Sequence, residues 1–387
     1  MNKNFNQTRV ILVRHGRSIY NEQKRYQGCC DESVLTEKGK QQAFETGIAL
    51  SKINFDAIYV SPLQRTQESA REILQVNQYH QKLKLKLKLK LKLNSNLKEV
   101  DLPKWQGLHY KYVREEFSEE YRIWEESPHE FTIENIESRG QTLIKTKTKP
   151  VLQLYEKARQ FWQEVLPFHQ GKTILVVSHG GTIRALIGTA TGILPQNYHA
   201  IQQSNSGINV LNFDNNSSNP FAQIEAINQT QHLGEILPKL KNGKCGLRLL
   251  LLPVSDNQVK SDIEIAQFLK SVQLDFCISN NTVNTQSILE SIIKSQSNPP
   301  VNLQVSRDNF LEIWHQTISN CSRNQNALST GLVVAQEKTI STTLSQILGL
   351  QSRLSLQLNP GEISILFYPT SQNKPVLQAM NIGLIRS

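Results

Sequence analysis

Short apolar runs that stop abruptly at polar residues recur along the first half of the chain. Arg9–Val13 (RVILV) is a β-rich run ending at Arg14-His15-Gly16, the pattern of a buried parallel strand opening into a loop. Phe55–Val60 (FDAIYV) is a second such run, followed by Ser61-Pro62 and a helical stretch over Gln64–Leu74. Thr173–Val177 (TILVV) is a third, leading into Ser178-His179-Gly180-Gly181 and a helix through Leu186. Between the first two runs, Thr36–Lys52 reads as a helix: Thr36 is an N-cap type, and Ala43, Phe44, Ile48 and Ala49 fall at helical spacing. Strand, loop and helix repeated in this way predict an α/β fold, a mostly parallel sheet flanked by helices. Ligands bind such sheets where the strands end at their carboxyl edge.

Between Arg114 and Lys172 the pattern is largely helical, with Val151–Leu166 amphipathic, as expected of a lid or flank over the sheet edge. His129 and His169 in this region read as surface or packing residues. Leu83–Leu93 alternates Lys and Leu strictly, so one face is apolar and the other charged, and the segment reads as a strand. Lysine along an exposed edge also discourages edge-to-edge pairing, which fits a repeat expansion at a tolerant edge position.

The second half repeats the first. Leu247–Leu252 lies against Thr8–Val13, Leu274–Ile293 against Phe55–Leu74 without a gap, and Thr330–Gly349 against Thr173–Gly192. Ile363–Tyr368 then answers Ile208–Phe213. In that register Arg14 and His15 become Pro253 and Val254, Arg65 becomes Asn284, and His179 becomes Gln336. The expected organisation is a first domain over residues 1–232 and a second, degenerate domain of the same fold over residues 245–387 that lacks the charged and nucleophilic positions.

Length and charge agree with this division. A chain of 387 residues exceeds what one typical core supports. Six lysines between Lys82 and Lys92 account for more than half of the net charge of +10, and no basic helix or zinc or RNA-binding signature accompanies them, so no nucleic-acid partner is expected. No apolar run approaches membrane-helix length, and Met1–Gln7 lacks the apolar stretch of a secretory signal, so no membrane association is expected. Five cysteines without metal-ligand spacing fit a reduced, cytoplasmic setting.

The chemistry lies at the ends of the three apolar runs. A neutral, oriented histidine such as His15 can attack phosphorus, and neighbouring cations both lower its pKa and bind a phosphate dianion. An arginine just after a buried strand, Arg65, can make paired hydrogen bonds to phosphoryl oxygens. His179 follows a third strand, with backbone amides at a helix start available to an anion. Each feature alone has a bland explanation as a turn residue or surface cap; their shared position at strand ends makes a common site the better account.

These residues resemble the histidine phosphatase, or phosphoglycerate mutase-like, superfamily. The resemblance is carried by LVRHGRSIYN (Leu12–Asn21), Gln27-Gly28, LTEKG (Leu35–Gly39), SPLQRTQESA (Ser61–Ala70), LKEVDLPKWQG (Leu97–Gly107) and VVSHGGTIRALIG (Val176–Gly188), in the family's order. It implies that His15 is phosphorylated and that Arg14, Arg65 and His179 hold the phosphoryl group. It also implies that Glu99 protonates the leaving oxygen and then activates water, and that Ser18, Asn21, Gln27, Gly28 and Gly180 contact substrate. No cofactor or metal is needed for that mechanism. The family's glycine after Glu99 is absent, the stretch reading Asp101-Leu102-Pro103-Lys104 before Trp105. The two-domain layout, with Tyr121–Phe131, resembles cyanobacterial phosphoglycerate mutase-like phosphatases, which are similar to the plant 2-carboxyarabinitol-1-phosphate phosphatase. The expected activity is therefore hydrolysis of a small phosphorylated metabolite, such as a phosphorylated sugar acid. The alternatives are a phosphoglycerate mutase using the same phosphohistidine, and a phospho-ligand-binding regulatory or scaffold protein.

Overall fold

The computed structural model describes residues 7–80, 90–139, 142–215, 221–241, 243–255, 262–280, 283–305, 310–321, 327–350, 355–370 and 374–383. The chain forms two compact units, one of residues 1–199, 203–224 and 232–236, the other of residues 200–202, 225–231 and 237–387.

In the first unit the order is β1 (Gln7–Arg14), α1 (Ile19–Glu22), α2 (Glu37–Leu50), β2 (Ala57–Val60), α3 (Gln64–His80), β3 (Leu91–Leu93), α4 (Tyr110–Glu116), α5 (Ser118–Glu126), β4 (Ile133–Arg139), β5 (Thr142–Thr148), α6 (Pro150–Val165), β6 (Thr173–Ser178), α7 (Gly180–Thr191) and β7 (Ile208–Asp214). The sheet runs β7-β1-β6-β2-β3, parallel except for β7. The expected α/β architecture is thus present. Val10–Val13 and Ile174–Val177 have no solvent exposure, because helices cover a parallel sheet and leave its central strands apolar on both faces. Thr36 caps α2 by accepting from Gly39 N, as its residue type suggested.

Two sequence expectations need adjustment. The region between Arg114 and Lys172 is helical only in part, because β4 and β5 pair as an antiparallel hairpin. Thr142, Ile144, Thr146 and Thr148 place a β-branched residue at every second position, a strand pattern that outweighs the helical reading. Of the Lys-Leu tract, Leu91–Leu93 is the edge strand β3 beside β2, while Lys82–Leu89 lies outside the described residues. His169 is a packing residue, its Nε2 3.0 Å from the Tyr59 hydroxyl, and His129 sits at the surface beside Glu130.

The second unit holds most of β8 (Gln223–Gln229), then β9 (Gly246–Val254), α8 (Asp262–Leu269), β10 (Phe276–Asn280), α9 (Val283–Ser295), β11 (Val301–Val305), α10 (Phe310–Cys321), β12 (Leu328–Gln336), α11 (Glu337–Leu348), β13 (Ile363–Pro369) and β14 (Val376–Ile382). Its strands follow β11-β10-β12-β9-β13-β14, with the first four parallel and β13 antiparallel to β9. The pairings of the first unit recur here residue for residue. Arg9 pairs with Thr173 and Arg248 with Thr330; Ala57 pairs with Ile174 and Phe276 with Gly331; Leu12 pairs with Asn209 and Leu251 with Ser364. Helices α7 and α11 both end on a left-handed glycine, Gly192 and Gly349. No described helix is long and apolar enough to cross a membrane.

Candidate active site

Strand register brings the candidate residues together. Arg14 ends β1 beside Ser178 of β6, and Val60 ends β2 beside Val177, so the three loops that follow leave the sheet at one edge. Those loops carry His15, Ser61 to Leu63, and His179, and Arg65 follows in the first turn of α3. Close packing tightens the first loop further: a methyl group on Gly16 would overlap the Gly39 carbonyl, and one on Gly39 would overlap that of Arg17. The LTEKG glycine is therefore needed for the His15 loop to sit down on α2.

His15 is 2% exposed, and its Nδ1 lies 2.7 Å from the Gly16 carbonyl oxygen. A carbonyl can only accept, so the proton sits on Nδ1 and the lone pair on Nε2. Across from it, the His179 ring lies edge-on, with centroids 5.2 Å apart. Burial, followed by the guanidinium charge of Arg65, with a smaller effect of Arg14, pushes the His179 imidazole well below its ordinary value and keeps it neutral.

The two arginines are held by backbone carbonyls. Arg14 donates from one terminal nitrogen to the Gln203 carbonyl at 2.8 Å, and Arg65 donates to the carbonyls of Cys30 at 2.7 Å and Gly28 at 2.9 Å. Burial lowers the pKa of both guanidiniums. Arg14 Nε, Arg65 Nε and His179 Nδ1 are each buried without a hydrogen-bond partner. Buried polar atoms are nearly always paired, so this cluster of unpaired ones around His15 calls for a ligand rich in acceptor oxygens.

Glu99 sits at the start of α7. One carboxylate oxygen accepts from Gly181 N at 3.1 Å, and the other from Thr182 N at 3.2 Å and Val100 N at 2.8 Å. A methyl on Gly181 would overlap both Glu99 Oε1 and the Tyr198 hydroxyl, so the second glycine of SHGG makes room for the acid. A methyl on Gly180 would come to 3.3 Å from Arg14 Nε, a tight contact and not an overlap. The hydroxyl of Ser18, the N-cap of α1, lies 2.7 Å from Gln27 Oε1 and 3.1 Å from Asn21 Oδ1, with one proton between them. Gly28 supplies a carbonyl to Arg65. All ten residues singled out in the sequence therefore fall in one connected neighbourhood.

Several neighbours escaped the sequence reading. The Tyr110 hydroxyl hydrogen-bonds Asn21 and lies within electrostatic reach of Arg14 and Glu99. Tyr198 is 2% exposed, with the Arg184 guanidinium 5.6 Å from its ring centre. Arg184 stands four residues after Gly180, a helical spacing that could have flagged it. Asn205 reaches the His15 loop from a polar stretch before β7 that carries no periodic signal. Among the described residues no group of His, Cys, Asp and Glu is arranged to hold a metal ion.

A family model for the histidine phosphatase superfamily (branch 1) matches residues 10–220. A probable 2-carboxy-D-arabinitol-1-phosphatase of Arabidopsis thaliana is 34% identical over 224 residues, covering 57% of this chain and 42% of the relative. Phosphoserine phosphatase 1 of Hydrogenobacter thermophilus is 30% identical, over 59% of this chain and 95% of the relative. A 2,3-bisphosphoglycerate-dependent phosphoglycerate mutase of Parvibaculum lavamentivorans is 31% identical, over 46% of this chain and 77% of the relative. The match thus spans less than half the length of the plant relative.

Proposed function

The chain belongs to the histidine phosphatase superfamily, and from that premise we propose that its first unit hydrolyses small phosphomonoesters through a phosphohistidine on His15. The observation that carries this reading is the set of unpartnered buried atoms, Arg14 Nε, Arg65 Nε and His179 Nδ1, around an imidazole whose proton is committed to the Gly16 carbonyl. A phosphoryl group bound there meets two fixed cations and a neutral donor, and the Nε2 lone pair of His15 is the nucleophile.

In the first step Nε2 attacks phosphorus, the ester P–O bond breaks, and the Glu99 carboxyl gives its proton to the leaving oxygen. In the second, Glu99 takes a proton from water, which attacks the phosphohistidine and releases phosphate. The guanidiniums of Arg14 and Arg65 stabilise the charge on the equatorial oxygens in both transition states. The named activities of the plant and Hydrogenobacter relatives support a phosphorylated acid as substrate. Asp101-Leu102-Pro103-Lys104 after Glu99, which departs from the pattern of cofactor-dependent mutases, favours hydrolysis over phosphoryl transfer back to product.

The second unit we read as a copy of the first without a phosphate pocket, over residues 245–387. Val254, at the position of His15, is buried in an apolar cluster with Leu250, Leu252, Ile265 and Leu269.

The test is turnover of p-nitrophenyl phosphate and phosphorylated hydroxy acids in the presence of a chelator, with acid-labile, base-stable phosphate trapped on the protein. His15→Ala should abolish both. Isomerised phosphoglycerate in place of free phosphate, dependent on 2,3-bisphosphoglycerate, would move the assignment to the mutase.

A further inference from the structure

The segment Gln203–Gly207 approaches the end of β1 through its backbone and one side chain. The Gln203 carbonyl accepts from the Arg14 guanidinium, Ser206 N donates to the Arg14 carbonyl at 3.0 Å, and the Gly207 carbonyl accepts from Arg14 N at 3.3 Å. Asn205 provides the side chain. Its amide nitrogen lies 3.2 Å from the His15 carbonyl, 3.3 Å from the Gly16 carbonyl and 2.9 Å from Asn21 Oδ1.

The Gly16 carbonyl is the atom that decides the chemistry of His15, because it takes the Nδ1 proton and so places the lone pair on Nε2. A peptide oxygen in a loop can turn away from the ring unless something holds it. The Asn205 amide has two protons for its three acceptors: one goes to Asn21 Oδ1, and the other is shared between that oxygen and the preceding carbonyl. Ser206 next to it adopts a left-handed backbone, φ 55°, which costs a non-glycine residue free energy and persists only where surrounding bonds over-determine it. Those bonds are present: Ser206 N donates to the Arg14 and His15 carbonyls, and the Ser206 carbonyl accepts from His232 Nε2 at 3.1 Å. The strained turn is what aims Asn205 at the His15 loop.

We propose that Asn205 is a positioning residue for the nucleophile: it fixes the Gly16 carbonyl that selects the Nδ1–H tautomer of His15, and ties that loop to Asn21. This rests on the reading of His15 as the nucleophile, but the tautomer itself can be measured without turnover. Asn21 is an independent link in the same chain, since its Oδ1 also accepts from Ser18 and its side chain hydrogen-bonds the Tyr110 hydroxyl. Asn205 therefore joins the nucleophile loop to the hydrogen-bonded set of Asn21, Ser18 and Tyr110.

The experiment uses the full-length protein labelled with 15N-histidine, with the His15 signals assigned by their loss in His15→Gln. Wild type should show one neutral tautomer, protonated at Nδ1. In Asn205→Ala, and in the isosteric Asn205→Asp, which replaces the donor by an acceptor facing two carbonyls, the signals should shift towards a mixture containing the Nε2–H form. The same variants should lose about tenfold in kcat on p-nitrophenyl phosphate with little change in KM, the size of one lost orienting hydrogen bond. Circular dichroism and the thermal midpoint check that each variant is folded. Retention of a single Nδ1–H tautomer in both folded variants, or kcat within twofold of wild type, overturns the proposal. A tautomer shift in a protein that forms no phosphohistidine would support the role of Asn205 and refute the phosphatase reading instead.

Discussion

His179 and Ser61, both fully buried, meet at 2.8 Å, imidazole Nε2 to hydroxyl oxygen. Ser61 Oγ also accepts from Leu63 N at 3.4 Å, and a phosphoryl ligand, which offers only acceptors to Nδ1, selects the arrangement in which the Ser61 hydroxyl donates to Nε2. The proton of the neutral His179 ring then sits on Nδ1, the atom without a partner, where it can donate to a phosphoryl oxygen.

Ser61→Ala should therefore release the ring to its other tautomer and cost about tenfold in kcat/KM, the loss of roughly one hydrogen bond. Ser61→Thr, which keeps the hydroxyl, should stay near wild type. Steady-state kinetics with p-nitrophenyl phosphate and vanadate inhibition of the three proteins decide the matter, and an alanine variant with undiminished vanadate affinity would exclude this account.

Gly181→Ala tests the placement of Glu99. The added methyl overlaps Glu99 Oε1 and the Tyr198 hydroxyl, so the carboxylate must leave the start of α7. Loss of general acid and base catalysis should lower kcat by about a hundredfold. Substrates with a poor alcohol leaving group should suffer more than p-nitrophenyl phosphate, because only they need the proton. Equal losses on both would indicate a general packing defect.

The sheet and the pocket were legible in the sequence for different reasons. Val10–Val13 and Ile174–Val177 are uninterrupted apolar runs, and each ends at the residue that carries chemistry, so a buried strand and its site announce themselves together. The β4–β5 hairpin was not legible, because its β-branched alternation sits within a stretch rich in Lys, Thr and Glu that lacks the apolar content of a core strand. Asn205 and Tyr198 were invisible for another reason. Their roles depend on contacts between different elements, Asn205 to His15 and Tyr198 to Arg184, and no local periodicity encodes such contacts.

His232 should give the first unit an acid-sensitive stability. Burial is the leading cause that lowers its imidazole to about 4, against smaller upward effects of the Ser206 carbonyl and Glu235. The folded value lies below the unfolded one, so the unfolded chain takes up the proton first. The contribution is complete above the ordinary value of 6.5 and is lost as pH falls from there towards 4. Between pH 7 and pH 5 the loss is about 2 kcal/mol. His232→Asn should flatten the pH dependence of urea unfolding by that amount relative to wild type. Parallel curves for the two proteins would assign the acid sensitivity elsewhere.

The second unit offers the sharpest contrast between shared backbone and divergent chemistry. Asp56 accepts from Thr173 N at 2.8 Å, and Asp275 accepts from Thr330 N at 2.7 Å, so even a side-chain bond is duplicated. At the strand ends the resemblance stops, with Pro253, Val254 and Gln336 where Arg14, His15 and His179 stand. Val254 is 3% exposed within an apolar cluster. Val254→His would place an imidazole there without a polar partner, and stability should fall by about 2–4 kcal/mol. It should gain no phosphate site, because the arginines and the second histidine are missing as well. In a His15→Ala background, where the first pocket is disabled, vanadate titration of the Val254→His protein should show no new binding. A site appearing in that titration would contradict the reading of the second unit as lacking a phosphate pocket, and that unit would have to be read as a latent enzyme.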